Sequence, residues 1–170
     1  PYPGFAVRRP AFVVERGTAR TDAKPERYRK DRSLTGVGPL FRGYREDELE
    51  TAPSLFLQET AFVEREPLRE RCGGESDPPL ELGAGQYAIV DFGANVAGCL
   101  GVTVACASPA RLMLTFDEVL TADGDVDFLR LDAVNAIACE LQPGVCDFEA
   151  LEPNAIRYAK LLALDGAVSV

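Results

Sequence analysis

Asp117, Glu118, Asp123, Asp125, Asp127 and Asp132 crowd one short stretch of the chain. Carboxylates at that density suit two kinds of chemistry. Hydrolysis of a glycosidic bond needs two carboxyl groups facing one bond, one kept protonated and the other ionised. A calcium ion would instead draw hard oxygen ligands from alternate positions, and Asp123, Asp125 and Asp127 offer that spacing. The EF-hand register fails, because with Asp123 first the positions for glycine and the closing glutamate hold Phe128 and Val134. Acidic, turn-rich loops otherwise simply meet solvent, since Asp and Gly are the residues that turns select. Asp123, Asp125 and Asp127 are therefore kept as a candidate metal or sugar loop, with solvation as the alternative.

Other site chemistries lose their parts. The chain has no histidine, which removes the usual serine triad although Ser54, Ser76 and Ser108 are present. Its five cysteines include no C-x-x-C pair, so no zinc site is expected. Gly36, Gly38 and Gly43 fit neither glycine-rich nucleotide fingerprint. There is no tryptophan to stack on a sugar, and Tyr28, Tyr44, Tyr87 and Tyr158 read as half-buried structure with bonded hydroxyls. No cofactor is expected, calcium in the acidic loop being the one alternative.

The elements that must position these residues read as strands. Tyr87–Phe92, Leu100–Ala105 and Leu112–Phe116 alternate apolar and small or polar residues, with turns expected at Gly93-Ala94-Asn95 and Ser108-Pro109. An antiparallel meander is the expectation. Asp123-Gly124 marks a hairpin or loop, after which Val126, Phe128 and Arg130 continue on alternate faces. Asn135–Leu141, Cys146–Leu151 and Ile156–Leu164 supply three more strands, and Ser54–Glu66 begins strand-like. Many short strands without helical periodicity predict an all-β antiparallel sandwich, jelly-roll-like, over residues 53–170. Residues 1–52 read as an irregular extension, with an edge strand drawn from the short apolar pieces Phe5–Pro10 and Ala11–Glu15 and with a charged linker. Within that linker Arg27, Arg29, Lys30 and Arg32 form either a solvated run or a basic docking patch.

Within this frame, Asp91-Phe92-Gly93, Asn95, Ala97-Gly98, Glu118-Val119-Leu120, Asp123-Gly124, Leu129-Arg130 and Arg157-Tyr158 follow the order found in bacterial α-L-rhamnosidase-like glycoside hydrolases. The stretch from Pro53 to Leu164 resembles the β-sandwich accessory domain of that family. Cys99 and Asn154-Ala155-Ile156 depart from it, standing where the family has an aromatic residue and His-Gly-Phe. The resemblance implies that the catalytic acids lie in a helical (α/α)6 barrel beginning about where this chain stops. It also implies that the chain alone is not catalytic, and that the barrel of the same parent chain is its partner. Asp91, Gly93, Asn95, Gly98, Glu118, Arg130, Arg157 and Tyr158 become structural positions, with Asp91 or Glu118 expected to pair with Arg157. An independent carbohydrate-binding module and a small enzyme built on the acidic loop stay open as alternatives.

Composition narrows the partners. A net charge of -9 argues against nucleic acid. No apolar run approaches the ~20 residues needed to cross a bilayer, so no membrane partner is expected. The chain opens at Pro1 without a methionine and reads as a piece, so its compartment is left unassigned. Buried thiols are expected in preference to disulfides: Cys99 and Cys106 on or beside a strand, Cys139 and Cys146 flanking Gln142-Pro143-Gly144 and able to face each other across a hairpin.

Overall fold

The computed structural model describes residues 6–22, 42–45, 47–48, 59–74 and 76–170. The basic run, Tyr28, Ser54 and most of the charged linker lie outside these residues. The strands are β1 (Phe12–Asp22), β2 (Glu59–Arg71), β3 (Glu81–Leu82), β4 (Gln86–Gly98), β5 (Gly101–Cys106), β6 (Ala110–Asp117), β7 (Ala136–Leu141), β8 (Gly144–Glu149), β9 (Asn154–Asp165) and β10 (Val168–Ser169). They build two antiparallel sheets, a six-stranded one in the order β2-β1-β4-β9-β6-β7 and a four-stranded one in the order β3-β10-β5-β8. The fold is an all-β sandwich.

Alternation along each strand decides what faces what. Ala88 and Val90 of β4, Leu112, Leu114 and Phe116 of β6, and Ala159, Leu161 and Ala163 of β9 point to the four-stranded sheet, where Leu82, Leu100, Val104 and Val168 meet them. The other face of the six-stranded sheet is also covered. Tyr87, Ile89, Met113 and Leu162 pack there under Val126, Leu120 and Phe128, which come from the loop after β6. Strand β6 is therefore buried on both sides, and its continuous apolar run reflects that.

Several expectations are corrected. The meander is not one sheet, because β5 belongs to the four-stranded sheet while β4 and β6 lie in the six-stranded one, separated by β9. Gly93-Ala94-Asn95 does not turn the chain. It is a bulge inside β4, where the register to β9 jumps between Asp91 and Val96 and Gly93 adopts a φ of 81°. Phe12–Glu15 is not at an edge, since β1 lies between β2 and β4. The edge on that side is β2, the kind of strand that tolerates a proline such as Pro67. After Asp123-Gly124 no strand follows: Leu120 and Val126 form one bridge, and Arg130–Asp132 makes a 3-10 turn.

The chain divides into two compact units, Arg20–Ala61 and the remainder. Within the smaller unit Arg45 pairs with Asp47 at 2.7 Å and its backbone N–H donates to Glu48 at 2.9 Å. All that follows concerns the larger unit.

Candidate functional site

Register brings the sequence-predicted residues together. Tyr158 of β9 stands abreast of Asp91 on one side and Asp117 on the other, at one end of the six-stranded sheet. Asp91 and Asp117 are each 2% exposed, so each must find cationic or N–H partners to offset lost hydration. Asp91 accepts from the Gly93 backbone N–H at 2.7 Å and from Arg157 Nε at 3.3 Å, with Arg69 Nη1 at 4.0 Å. Asp117 accepts from Arg130 Nε at 2.8 Å, Asn135 Nδ2 at 3.0 Å and the Glu118 backbone N–H at 2.7 Å. The other arm of Arg130 donates to Glu118 at 2.8 Å, and Asn95, presented by the bulge, donates to the same carboxylate at 3.0 Å. Asp117, foremost, and Glu118 raise the Arg130 pKa, and Asp91 raises that of Arg157. Both guanidiniums are fixed cations.

Gly98 stays outside this group. It ends β4 opposite Asn154, and a side chain there would meet open space. Arg157 takes the Asp91 half of the expected choice and leaves Glu118 to Arg130. The strict alternation expected for β9 breaks here: Ile156, Ala159 and Leu161 share the inter-sheet core, Tyr158 packs on the opposite face, and Arg157 reaches the carboxylate of Asp91.

In the acidic loop, Asp123 and Asp125 both have partners within the chain. Asp125 is bound through both oxygens to Lys160 Nζ at 2.7 Å, and this lysine side chain is 3% exposed. Asp123 accepts from the Thr121 hydroxyl, and that bond holds its carboxyl below the usual range. The backbone N–H of Asp127 donates to the Val119 carbonyl at 3.2 Å. Among the described residues no group of three or more carboxylates and thiols is arranged to hold a metal ion. The loop is a strap across the outer face of the sheet, held by the pair of Asp125 with buried Lys160 and by Arg65, which donates to the Asp123 carbonyl.

A second polar cluster under the strap was missed by sequence reasoning. Glu15, 7% exposed, accepts from the Tyr87 hydroxyl at 2.6 Å and from Arg65 at 2.8 and 2.9 Å. Burial, followed by the bond to Glu15, pushes the Tyr87 phenol far above its ordinary value. Phe62 lies beneath both the Arg65 guanidinium and the Lys160 ammonium, at 4.1 and 4.9 Å from its ring centre. The available signal was Lys160 itself: a lysine inside the run Tyr158–Leu164, apolar on both sides, demands a buried anion.

Thiol burial also differs from expectation. Cys99 is exposed, because it sits in the link between β4 and β5 while Leu100 takes the core position at 7% exposure. Cys146 is exposed, and Cys72, Cys106 and Cys139 are half-buried; all five are free.

No protein-family model and no curated protein matches the chain. Among solved structures it is similar to a GH78-family rhamnosidase of Bacillus sp. GL1, with 16% identity over 60% of this chain and 12% of that one, TM-score 0.47. It is also similar to a rhamnosidase from Klebsiella oxytoca with rhamnose bound, with 17% identity over 95% and 29%, TM-score 0.43. A third is the α-L-rhamnosidase from Dictyoglumus thermophilum, with 17% identity over 65% and 15%, TM-score 0.41. The chain thus spans less than a third of each of these proteins.

Proposed function

We propose that this chain is the non-catalytic β-sandwich domain of an α-L-rhamnosidase-like glycoside hydrolase, bracing a helical catalytic domain of the same polypeptide. One observation carries the reading. Most of the residues picked out by their order along the sequence, Gly98 excepted, gather in two neighbouring ion-pair groups at one end of the six-stranded sheet, either side of Tyr158. Asp91, Asp117 and Glu118 are each committed to a guanidinium there. A general acid and base pair needs one carboxyl free to hold a proton and another poised on the same bond, and these groups have neither freedom nor an open bond to face. Their chemistry is that of a fixed scaffold.

Two measurements test this. The purified chain should show no turnover of aryl α-L-rhamnosides; activity abolished by Asp125→Asn would make it a small enzyme. The reading frame should run past the codon for Val170 into a long helical region rich in paired acids. A stop codon there, or saturable calorimetric binding of rhamnosides by the chain alone, would favour an independent sugar-binding module instead.

A further inference from the structure

Among the described residues the sandwich is open along one side. Strands β7 and β8 are the edges of their two sheets and are joined by a corner of only two residues, Gln142 and Pro143. On β7, Cys139 stands opposite Leu112 and packs against the inter-sheet core. On β8, Cys146 stands opposite Val104, a core residue 2% exposed, so its side chain belongs to the same interior face. Yet Cys146 is exposed, with β8 at the edge of its sheet among the described strands. The two thiols occupy matching places, each two residues from its strand's end at the corner, on facing walls of the opening.

We propose that Cys139 and Cys146 form a dithiol site that is oxidised to an internal disulfide by a low-molecular-weight disulfide such as oxidised glutathione. The Cys146 thiolate, reached from solvent, attacks one sulfur of the reagent and releases one thiol, leaving a mixed disulfide. Cys139 then attacks the Cys146 sulfur and expels the second thiol. Two protein thiols are oxidised, one external disulfide is reduced to two thiols, and the protons end on the released thiols. A bridge needs Cα atoms within about 4.4–6.8 Å, and sheets in a sandwich stand about 10 Å apart, so the edges must converge. A two-residue corner forces that convergence locally, and β8, bonded to β5 alone among the described strands, is the wall able to move.

Two observations single out this pair. The Cys106 thiol, also inward and near the corner, donates to the Gln142 carbonyl at 3.1 Å. The charge that Cys146 would carry is felt at Cys139, adding to the burial that already pushes the Cys139 thiol up. Once Cys146 is held in the mixed disulfide it carries no charge and burial alone keeps the Cys139 thiol up, so the resolving step should be the slower one and should quicken between roughly pH 7 and roughly pH 9.

The experiment incubates the reduced chain with oxidised glutathione, alkylates the remaining thiols and maps the peptides by mass. The expected product links the Cys139 and Cys146 peptides with the loss of two hydrogens and carries no glutathione on either, while Cys72 and Cys106 are alkylated; exposed Cys99 has no partner and is read separately. Cys139→Ser should stall with glutathione retained on Cys146. A mixed disulfide that persists on Cys146 in the unaltered chain, or a Cys106–Cys146 link, would overturn the assignment.

Discussion

Tyr87 donates its hydroxyl to a carboxylate that also holds Arg65, in a place 1% exposed. Its folded pKa is raised above that of the unfolded chain, so the native state keeps a proton that the unfolded state loses. Below about pH 10 the two states bind equally and the stabilisation is complete; above it the unfolded state is favoured and stability falls as pH climbs. Alkaline titration followed by phenolate absorbance should find one of the five tyrosines ionising only as the protein unfolds, and Tyr87→Phe should remove that component. Reversible ionisation of all five in the folded state would refute it. Arg157 makes a gentler case. Its side chain is 40% exposed, and Asp91 keeps the Gly93 N–H and Arg69 when the guanidinium goes. Arg157→Ala should cost about 1 kcal/mol, a fall in Tm of roughly 2 to 4 °C. A drop within one degree would mean that Arg157 serves a surface instead of Asp91.

Among the elements, β4 shows what sequence signals carry and what they conflate. Glycine and asparagine after Asp91 announce a positive φ, and a bulge satisfies that announcement as well as a turn does. The presence of β6, β7, β8 and β9 was legible because turn residues separate them, whereas β6 is buried on both faces and β8 starts and ends two residues before the expected Cys146–Leu151. Sheet membership was not legible, since nothing local in Leu100–Ala105 records that β5 pairs with β8 and β10. Two glycines separate backbone strain from crowding. A Cβ at Gly93 would find Ala11 at an ordinary 3.5 Å, so Gly93→Ala should cost about 1 to 2 kcal/mol for the left-handed φ alone. A Cβ at Gly17 would collide with the Glu64 carbonyl and sit 2.8 Å from the Tyr87 hydroxyl, neither of which can yield without breaking β1 from β2 or Tyr87 from Glu15. Gly17→Ala should therefore destabilise more than Gly93→Ala and strip hydrogen-exchange protection from β2 first. Equal melting of the two variants would contradict this.

For the whole molecule, the sandwich class followed from strand spacing, because two sheets hiding one face each is what many short alternating segments can build. The ion-pair groups and the strap were less legible. Asp91 and Arg157 were matched in advance through family order, whereas Glu15–Arg65 and Asp125–Lys160 join residues whose proximity exists only after β1, β2, β4 and β9 have assembled. Overall charge was similarly silent: an excess of acids says nothing about which carboxylates are buried against cations.

The place of β9 has a consequence for synthesis. It is the last long strand, residues 154–165, yet it lies between β4 and β6 at the middle of the larger sheet. A nascent chain emerging from the ribosome can pair β1 with β4 and β6 with β7, but these remain two separate ribbons, each with an open edge, until β9 emerges between them. Native assembly of the larger sheet is therefore post-poned until nearly all 170 residues are translated, and the open edges of β4 and β6 are what a ribosome-associated chaperone would have to shield in the meantime.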